Sequence, residues 1–320
     1  NHLRKDYSSI DSVLVQTVQR IEDLRNQTED ISGVPSGFPS IDKVTYGWQK
    51  TDLIILAARP AVGKTAFALN LARNAALNPI RPTAVAVFSL EMSAGQLVQR
   101  ILSAESEIWL EKISRGKLED YEMKQLYAKG IQRLSEAKIF IDDTAALNIF
   151  ELRAKCRRLK NKHDLGLIII DYLQLMSGAG GNTNREQEIS QISRSLKQLA
   201  KELEVPIIAL SQLSRAVETR KDGNKMPQLS DLRESGAIEQ DADMVMFIYR
   251  PEYYDVNSNE HGESVKGETH VRIAKHRNGS LETIKLRAML HIQKFVDEGV
   301  EGGDGPGAPM GGGWKPIGPG

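Results

Sequence analysis

The sequence predicts an α/β fold: a mostly parallel central sheet flanked by helices, with a β-hairpin near the C-terminal end. Three observations carry this. Six short runs, at 53–58, 83–91, 138–143, 165–176, 205–212 and 244–250, are nearly continuous in apolar character, as strands buried on both faces are. Helical segments are expected between most of them, at 64–77, 93–104, 118–136, 148–161 and 185–203, and such alternation marks βαβ units. Residues 268–290, "ETHVRIAKHRNGSLETIKLRAML", read instead as two alternating strands joined at Asn278-Gly279, a strong hairpin signal.

Taken in order, residues 8–27 read as an amphipathic helix. Ile10, Val13, Leu14, Val18, Ile21 and Leu24 recur at helical spacing and form one stripe. Ser8 with Asp11 resembles a capping box. Residues 28–48 are rich in Gly, Pro and Ser and read as a linker and lead-in loop. The expected division is a linker helix over 1–28, a linker and lead-in loop over 29–50, the main domain over 51–296 and a disordered tail over 297–320. That tail is dominated by Gly and Pro and has almost nothing apolar to bury. The helix lies outside the main domain, so its stripe packs either on that domain or on a neighbouring subunit; the sequence leaves both open.

Lys and Arg number 42 and so do Asp and Glu, giving a formal net charge of zero. This argues against a bulk basic nucleic-acid binder, but not against a few cations concentrated along one channel. The basic helix over 148–163 reads as a solvated outer face. No apolar run approaches the roughly 20 residues that span a membrane, and the first residues lack the apolar core of a signal peptide. Cys156 is the single cysteine, which fits a reducing cytoplasm. A fragment is expected from the opening Asn1 in place of methionine.

The main domain carries the chemistry. Residues 58–66, "ARPAVGKTA", come close to the phosphate-binding pattern G-x-x-x-x-G-K-[ST], with Ala58 where the first glycine normally stands. Gly63 lets the backbone approach a phosphate, Lys64 reaches the terminal phosphates, and Thr65 offers its hydroxyl to Mg²⁺. The following helix favours an anion at its start. An ordinary strand–loop–helix turn with an exposed lysine is the plain alternative. Asp171 ends the apolar run 165–170, where a carboxylate holds Mg²⁺ directly or through water. The plain alternative there is a solvated strand end. Glu91, leaving another apolar run, is the candidate general base for an attacking water, or else an N-cap of the next helix. Gln212 ends a further run and can sense a γ-phosphate without adding charge. Lys275 and Arg277 stand two apart, so in a strand they share one face, with His276 on the other. Such a pair can stabilise the charge of phosphoryl transfer, or form a solvated cationic edge.

"ARPAVGKTAFALN", "FSLEMS", "IIIDYLQLM", "ALSQLSR", "DLRESGAIEQDADMV" and "AKHRNG" occur in this order. Together they resemble the RecA-type motor domain of the DnaB family of bacterial replicative DNA helicases, over about residues 8–295. In that family the loop commonly begins A-R-P. The resemblance implies a RecA-like P-loop NTPase that uses ATP and Mg²⁺. The nucleotide lies on Ala58, Arg59, Pro60, Ala61, Val62, Gly63, Lys64, Thr65 and Ala66, with the metal at Thr65 and Asp171. Glu91 is implied as the catalytic base, Gln212 as the γ-phosphate sensor, and Lys275 and Arg277 as a pair reaching the neighbour's site. Arg233, Glu234, Ser235 and Gly236 match a channel loop on single-stranded DNA, and residues 177–186 a second, mobile loop. The helix over 8–27 resembles a linker helix that packs on the next subunit.

The implied assembly is a homo-hexameric ring moving 5′→3′ on single-stranded DNA and unwinding duplex at the replication fork. Primase, a helicase loader and the polymerase clamp-loader complex are the implied partners; no membrane is involved, and the place of action is the nucleoid. The family's N-terminal helical domain is expected to lie outside this chain. Two other readings share the same residues: a RecA-like recombination or branch-migration ATPase, and a nucleotide-gated scaffold module.

Overall fold

Leu53–Ala58 form β1, and every one of its side chains is buried. Alternate residues face opposite ways, as the period of a strand demands. Ile54, Leu56 and Ala58 enter one apolar cluster, and Leu53, Ile55 and Ala57 enter the other. The structure is a computed structural model and describes residues 9–25, 31–145, 147–171, 173–176, 185–220, 225–232, 236–258 and 261–298.

The remaining strands are β2 (Ala84–Ser89), β3 (Ile139–Asp142), β4 (Leu165–Asp171), β5 (Ile207–Gln212), β6 (Met244–Tyr249), β7 (Glu268–His276), β8 (Thr283–Met289) and β9 (Lys294–Asp297). They form one nine-stranded sheet in the order β3-β2-β4-β5-β1-β6-β7-β8-β9. Pairings from β3 through β6 are parallel, and those from β6 to β9 are antiparallel. The six apolar runs thus all become strands. β3 is half-buried throughout, as an edge strand is, while β7 and β8 alternate as expected.

The helices are α1 (Ile10–Arg25), α2 (Pro39–Thr45), α3 (Lys64–Ala76), α4 (Ala94–Ser106), α5 (Leu110–Arg115), α6 (Asp120–Gln125), α7 (Gln132–Leu134), α8 (Ile149–His163), α9 (Arg185–Leu203), α10 (Ala216–Thr219) and α11 (Gly236–Asp241). α3 and α4 cover one face of the sheet, with Phe67, Leu71, Leu97 and Ile101 in its cluster. α8 and α9 cover the other, with Leu152, Cys156, Leu196 and Leu199. The single helix expected over 118–136 is interrupted: a π-helical turn, Leu126–Ile131, separates α6 from α7. On the basic α8, Arg153 and Arg157 both pair with Glu202, and Lys155 pairs with Asp142 at 2.7 Å. Part of its charge is therefore neutralised.

Three expectations need correction, and one that the sequence leaves open is narrowed. Residues 31–50 are not a loose lead-in. Phe38, Ile41, Val44 and Trp48 are buried, Val34 bridges Trp48, and the Phe38 ring stacks on Phe67 at 5.5 Å. Pro39 opens α2, where its missing N–H costs nothing. The tail does not start at 297. Asp297 accepts hydrogen bonds from Ser40 N (2.7 Å) and Ser40 Oγ (2.6 Å); residues 299–320 lie outside the described ones. Asn278-Gly279 make no two-residue turn, because β7 and β8 stop pairing at Arg272 and Thr283 and residues 277–282 loop beyond. The helix of residues 8–27 is found as α1, but Ile10, Val13, Leu14, Val18 and Ile21 remain 46–73% exposed, so its stripe is not packed on its own domain. Ser8, its expected cap, falls outside the described residues.

The lower edge of the sheet, where β1 begins, carries a buried charge cluster. Asp243 Oδ2 accepts from Leu53 N at 2.8 Å and pairs with Lys197, while its Oδ1 lies 3.4 Å from Arg277. Burial, and next the Asp243 charge, push the Asp52 carboxyl from 3.8 up to about 6, against the pull of Lys197 and Arg277. A raised carboxyl binds its proton more tightly in the folded state, so its contribution to stability is complete below 3.8 and is lost as the pH rises through about 6. Asp52→Asn is therefore expected to gain stability relative to the parent as the pH rises across this window. Urea unfolding on either side of it checks this; an equal difference at both pH values would contradict it.

Candidate nucleotide site

The site is built where β1, β2, β4 and β5 end. Parallel strands present their carboxyl ends along one edge, and open α/β sheets bind ligands there. At the end of β1 the chain turns through Arg59–Val62 into α3. Ala61 has φ 63° and Gly63 has φ 109°. The backbone at Gly63 favours glycine, and a Cβ there would also lie in tight contact, 3.3 Å from Leu290 Cδ2 and Phe295 Cζ. Gly63 is the N-cap of α3 and provides no side-chain cap, which leaves first-turn N–H groups for an anion.

The cavity above this turn is about 430 Å³ and is lined by Lys64, Thr65, Ala66, Glu91 and Gln212, together with Arg59, Pro60, Ala61 and Gly63. Ala58 and Val62 do not line it; both side chains are buried in the core. The Arg59 guanidinium donates to Glu218 Oε1 and to Leu213 O, each at 2.7 Å. Its role in the loop is to tie β1 to the segment after β5.

Thr65 Oγ1 donates to Asp171 Oδ2 at 2.7 Å, and Lys64 Nζ lies 4.0 Å from Asp171 Oδ1. Asp171 is 3% exposed, and its Oδ1 accepts no hydrogen bond among the described residues. A buried carboxylate oxygen without a donor, beside a hydroxyl, fits a hard cation such as Mg²⁺ that takes its other ligands from phosphate and water. No group of three or more His, Cys, Asp or Glu among the described residues could hold a metal, so such an ion would depend on the phosphates. Burial pushes the Lys64 ammonium below its usual value, against the opposing charges of Asp171 and Glu91. That leaves it poorly solvated and poised for an anion.

Glu91 follows β2, in a turn fixed by Leu90 N donating to Asp171 O (2.8 Å) and Met92 N donating to Ser89 Oγ (3.0 Å). It does not cap α4; Ser93 does, in a capping box with Gln96. Gln212 ends β5, and Gln174 braces it, with Gln174 Nε2 on Ser211 Oγ at 2.9 Å.

Two lining residues carried no signal in the sequence. Arg100 on α4 donates to Gln293 Oε1, and Gln293, at φ 56°, follows the Leu290–Ile292 turn. Burial lowers the Arg100 guanidinium, with Asp171 opposing. Arg100 follows Leu97 by three on the helix face that packs on the sheet, a place where a cation needs a partner.

Lys275 and Arg277 are not brought to this cavity. Lys275 Nζ donates to Glu239 O and Arg277 Nη2 to Gln240 O, at the end of α11. Arg277 N donates to Asp243 O at 2.9 Å, and Asp243 N to Leu53 O, also at 2.9 Å. Arg277 therefore sits at the start of β1, whereas the phosphate loop follows its end. Six strand residues at about 3.3 Å each put roughly 17 Å between these edges. Arg233, Glu234 and Ser235 lie outside the described residues, as do 177–184; Gly236 opens α11.

Residues 33–297 match the family described as DnaB-like helicase C terminal domain. The replicative DNA helicase DnaB of Geobacillus stearothermophilus is 51% identical over 292 residues, covering 91% of this chain and 62% of that protein. The replicative DNA helicase DnaC of Bacillus subtilis (strain 168) is 50% identical over the same shares. The chain thus spans 62% of the length of these relatives. Among solved structures, one described as an ATPase domain matches with a TM-score of 0.83 and 41% identity, over 91% of this chain and 99% of that one. A DnaB-like replicative helicase, described with its interactions with primase, matches with a TM-score of 0.80 and 40% identity, over 91% of this chain and 67% of that one. The sheet order, the phosphate loop at the end of β1 and these matches together place the chain in the DnaB-like helicase C-terminal domain family.

Proposed function

We propose that this chain is the ATP-hydrolysing motor of a ring-forming DNA helicase. The observation that carries the reading is the division of the site. Lys64, Thr65, Glu91, Asp171 and Gln212 gather at one edge of the sheet, while Lys275 and Arg277 stand at the other. One chain holds half of two sites, and a ring of copies completes each site with the next chain's cations. The exposed stripe of α1 supports the same arrangement, since a second copy can bury it.

Within a site, the first-turn N–H groups of α3 and Lys64 hold the phosphates. Thr65 and Asp171 would hold Mg²⁺, which would supply charge neutralisation to the bound phosphates. Glu91 orients and deprotonates the attacking water, and Gln212 contacts the γ-phosphate. Lys275 and Arg277 of the adjacent copy stabilise the charge that develops as the bond breaks. Backbone contacts around Arg233–Gly236 grip single-stranded DNA without reading sequence. The further reading is a homo-hexamer travelling 5′→3′ at the replication fork, working with primase, a loader and the clamp-loader complex.

Glu91→Ala is expected to lower DNA-stimulated ATP hydrolysis by about 100-fold or more, the usual weight of a general base, while leaving nucleotide binding intact. Lys64→Ala is expected to lose both. Measuring turnover and nucleotide binding for each variant checks this; a Glu91→Ala chain with parental turnover would remove Glu91 from the chemistry. Arg277→Ala is expected to be inactive alone and to regain part of its activity when mixed with Lys64→Ala subunits, because mixed rings contain intact composite sites. Full activity of Arg277→Ala by itself would contradict the trans assignment.

A further inference from the structure

The loop that carries Arg277 contains a contact that the nucleotide chemistry does not explain. Gly279 is not in the left-handed region, so its backbone does not require glycine. What a side chain there would meet is the neighbouring imidazole, which would have to turn aside to admit it. A Cβ on Gly279 would lie 2.2 Å from His276 Cε1, 2.3 Å from Nδ1 and 3.1 Å from Nε2. The Nδ1–Cε1 edge of the His276 ring therefore faces the backbone of the residue three positions on, and its Nδ1 is buried with no hydrogen-bond partner among the described residues. His276 is the last residue of β7 and pairs with Met244, so the ring is anchored to the sheet on one side and holds the loop on the other. Between these two points lies Arg277.

The cation pair is held on its other side as well. Lys275 Nζ and Arg277 Nη2 rest on the carbonyls of Glu239 and Gln240, and Arg277 N is fixed by Asp243 O. With its main chain fixed at His276 and Asp243, Arg277 leaves the sheet edge in one direction. Burial holds the imidazole below its usual value, against the pull of the Ser280 backbone. A neutral ring adds no third charge between the two cations.

We propose that His276 and Gly279 form a packing lock that positions Arg277 for the adjacent subunit's nucleotide. They are positioning residues that act through Arg277 and touch no substrate. The proposal rests on the reading of Arg277 as a cation acting in trans.

The test is a double-mutant cycle on the full chain, reading kcat and KM for DNA-stimulated ATP hydrolysis, with thermal unfolding as a check on the fold. Gly279→Ala is expected to lower kcat about ten-fold, the scale of a displaced catalytic group, with KM for ATP nearly unchanged. His276→Ala, which loosens the loop without displacing it, is expected to lower kcat by a smaller factor. The double variant is expected to match His276→Ala alone, because without the ring the added methyl strikes nothing. Effects that simply multiply, or a Gly279→Ala chain with parental kcat, would overturn the lock. If Gly279→Ala does not fold, His276→Ala decides: a parental kcat overturns the proposal, and a lowered kcat at constant KM sustains it. Arg277→Ala runs beside these. Its full activity would sink the trans reading itself, whereas an inactive Arg277→Ala with an active Gly279→Ala would sink only the lock.

Discussion

The hydrogen bond from Thr65 to Asp171, 2.7 Å long, is the contact on which the rest of the structure depends. It joins the first turn of α3 to the end of β4, across a sheet in which β5 lies between β4 and β1. To form it, β1 and β4 must end level, and both must be buried deeply enough to hold a carboxylate out of water. Their nearly unbroken apolar composition does that. One oxygen of Asp171 is then satisfied by Thr65, and the other is left buried without a hydrogen-bond donor among the described residues. Such an oxygen is costly in an empty protein and useful in one that binds a cation with its phosphates.

The opposite edge of the sheet is governed by a second buried carboxylate, Asp243. Its carboxylate holds the start of β1 through Leu53 N and pairs with Lys197, while its main-chain carbonyl accepts from Arg277 N. The two edges are thus specialised by charge, an anion site above and tethered cations below. Under the proposed function, this division lets a chain with no net charge serve a polyanionic substrate. Some of the positive charge elsewhere is paired, as on α8, where Arg153 and Arg157 share the carboxylate of Glu202. The cations that matter are few and are placed by the sheet.

Much of this was legible in the sequence, for a physical reason. A strand buried on both faces must be apolar at nearly every position, so the runs at 53–58, 205–212 and 244–250 announce themselves. Phosphate binding needs Gly63, Lys64 and Thr65 adjacent in the chain. What escaped notice depends on tertiary packing. Phe38, Ile41, Val44 and Trp48 are core residues, but they are spaced among turn formers and match no single period. β9 is four residues long and runs straight into glycine. Arg100 and Gln293 meet only because α4 and the turn before β9 pack together. Asn278-Gly279 misled because glycine was assigned to a turn conformation, whereas Gly279 makes room for His276.

The proposed function requires that the next chain's Arg277 complete each site. Images of the assembly with a non-hydrolysable ATP analogue and single-stranded DNA test it most directly. The account predicts a ring in which the Arg277 guanidinium has left Gln240 and Asp243 and lies on the terminal phosphate bound at the neighbour's Lys64 and Thr65. A ring in which Arg277 keeps its contacts to Gln240 and Asp243, with the phosphates touched only by the chain that binds them, would contradict it.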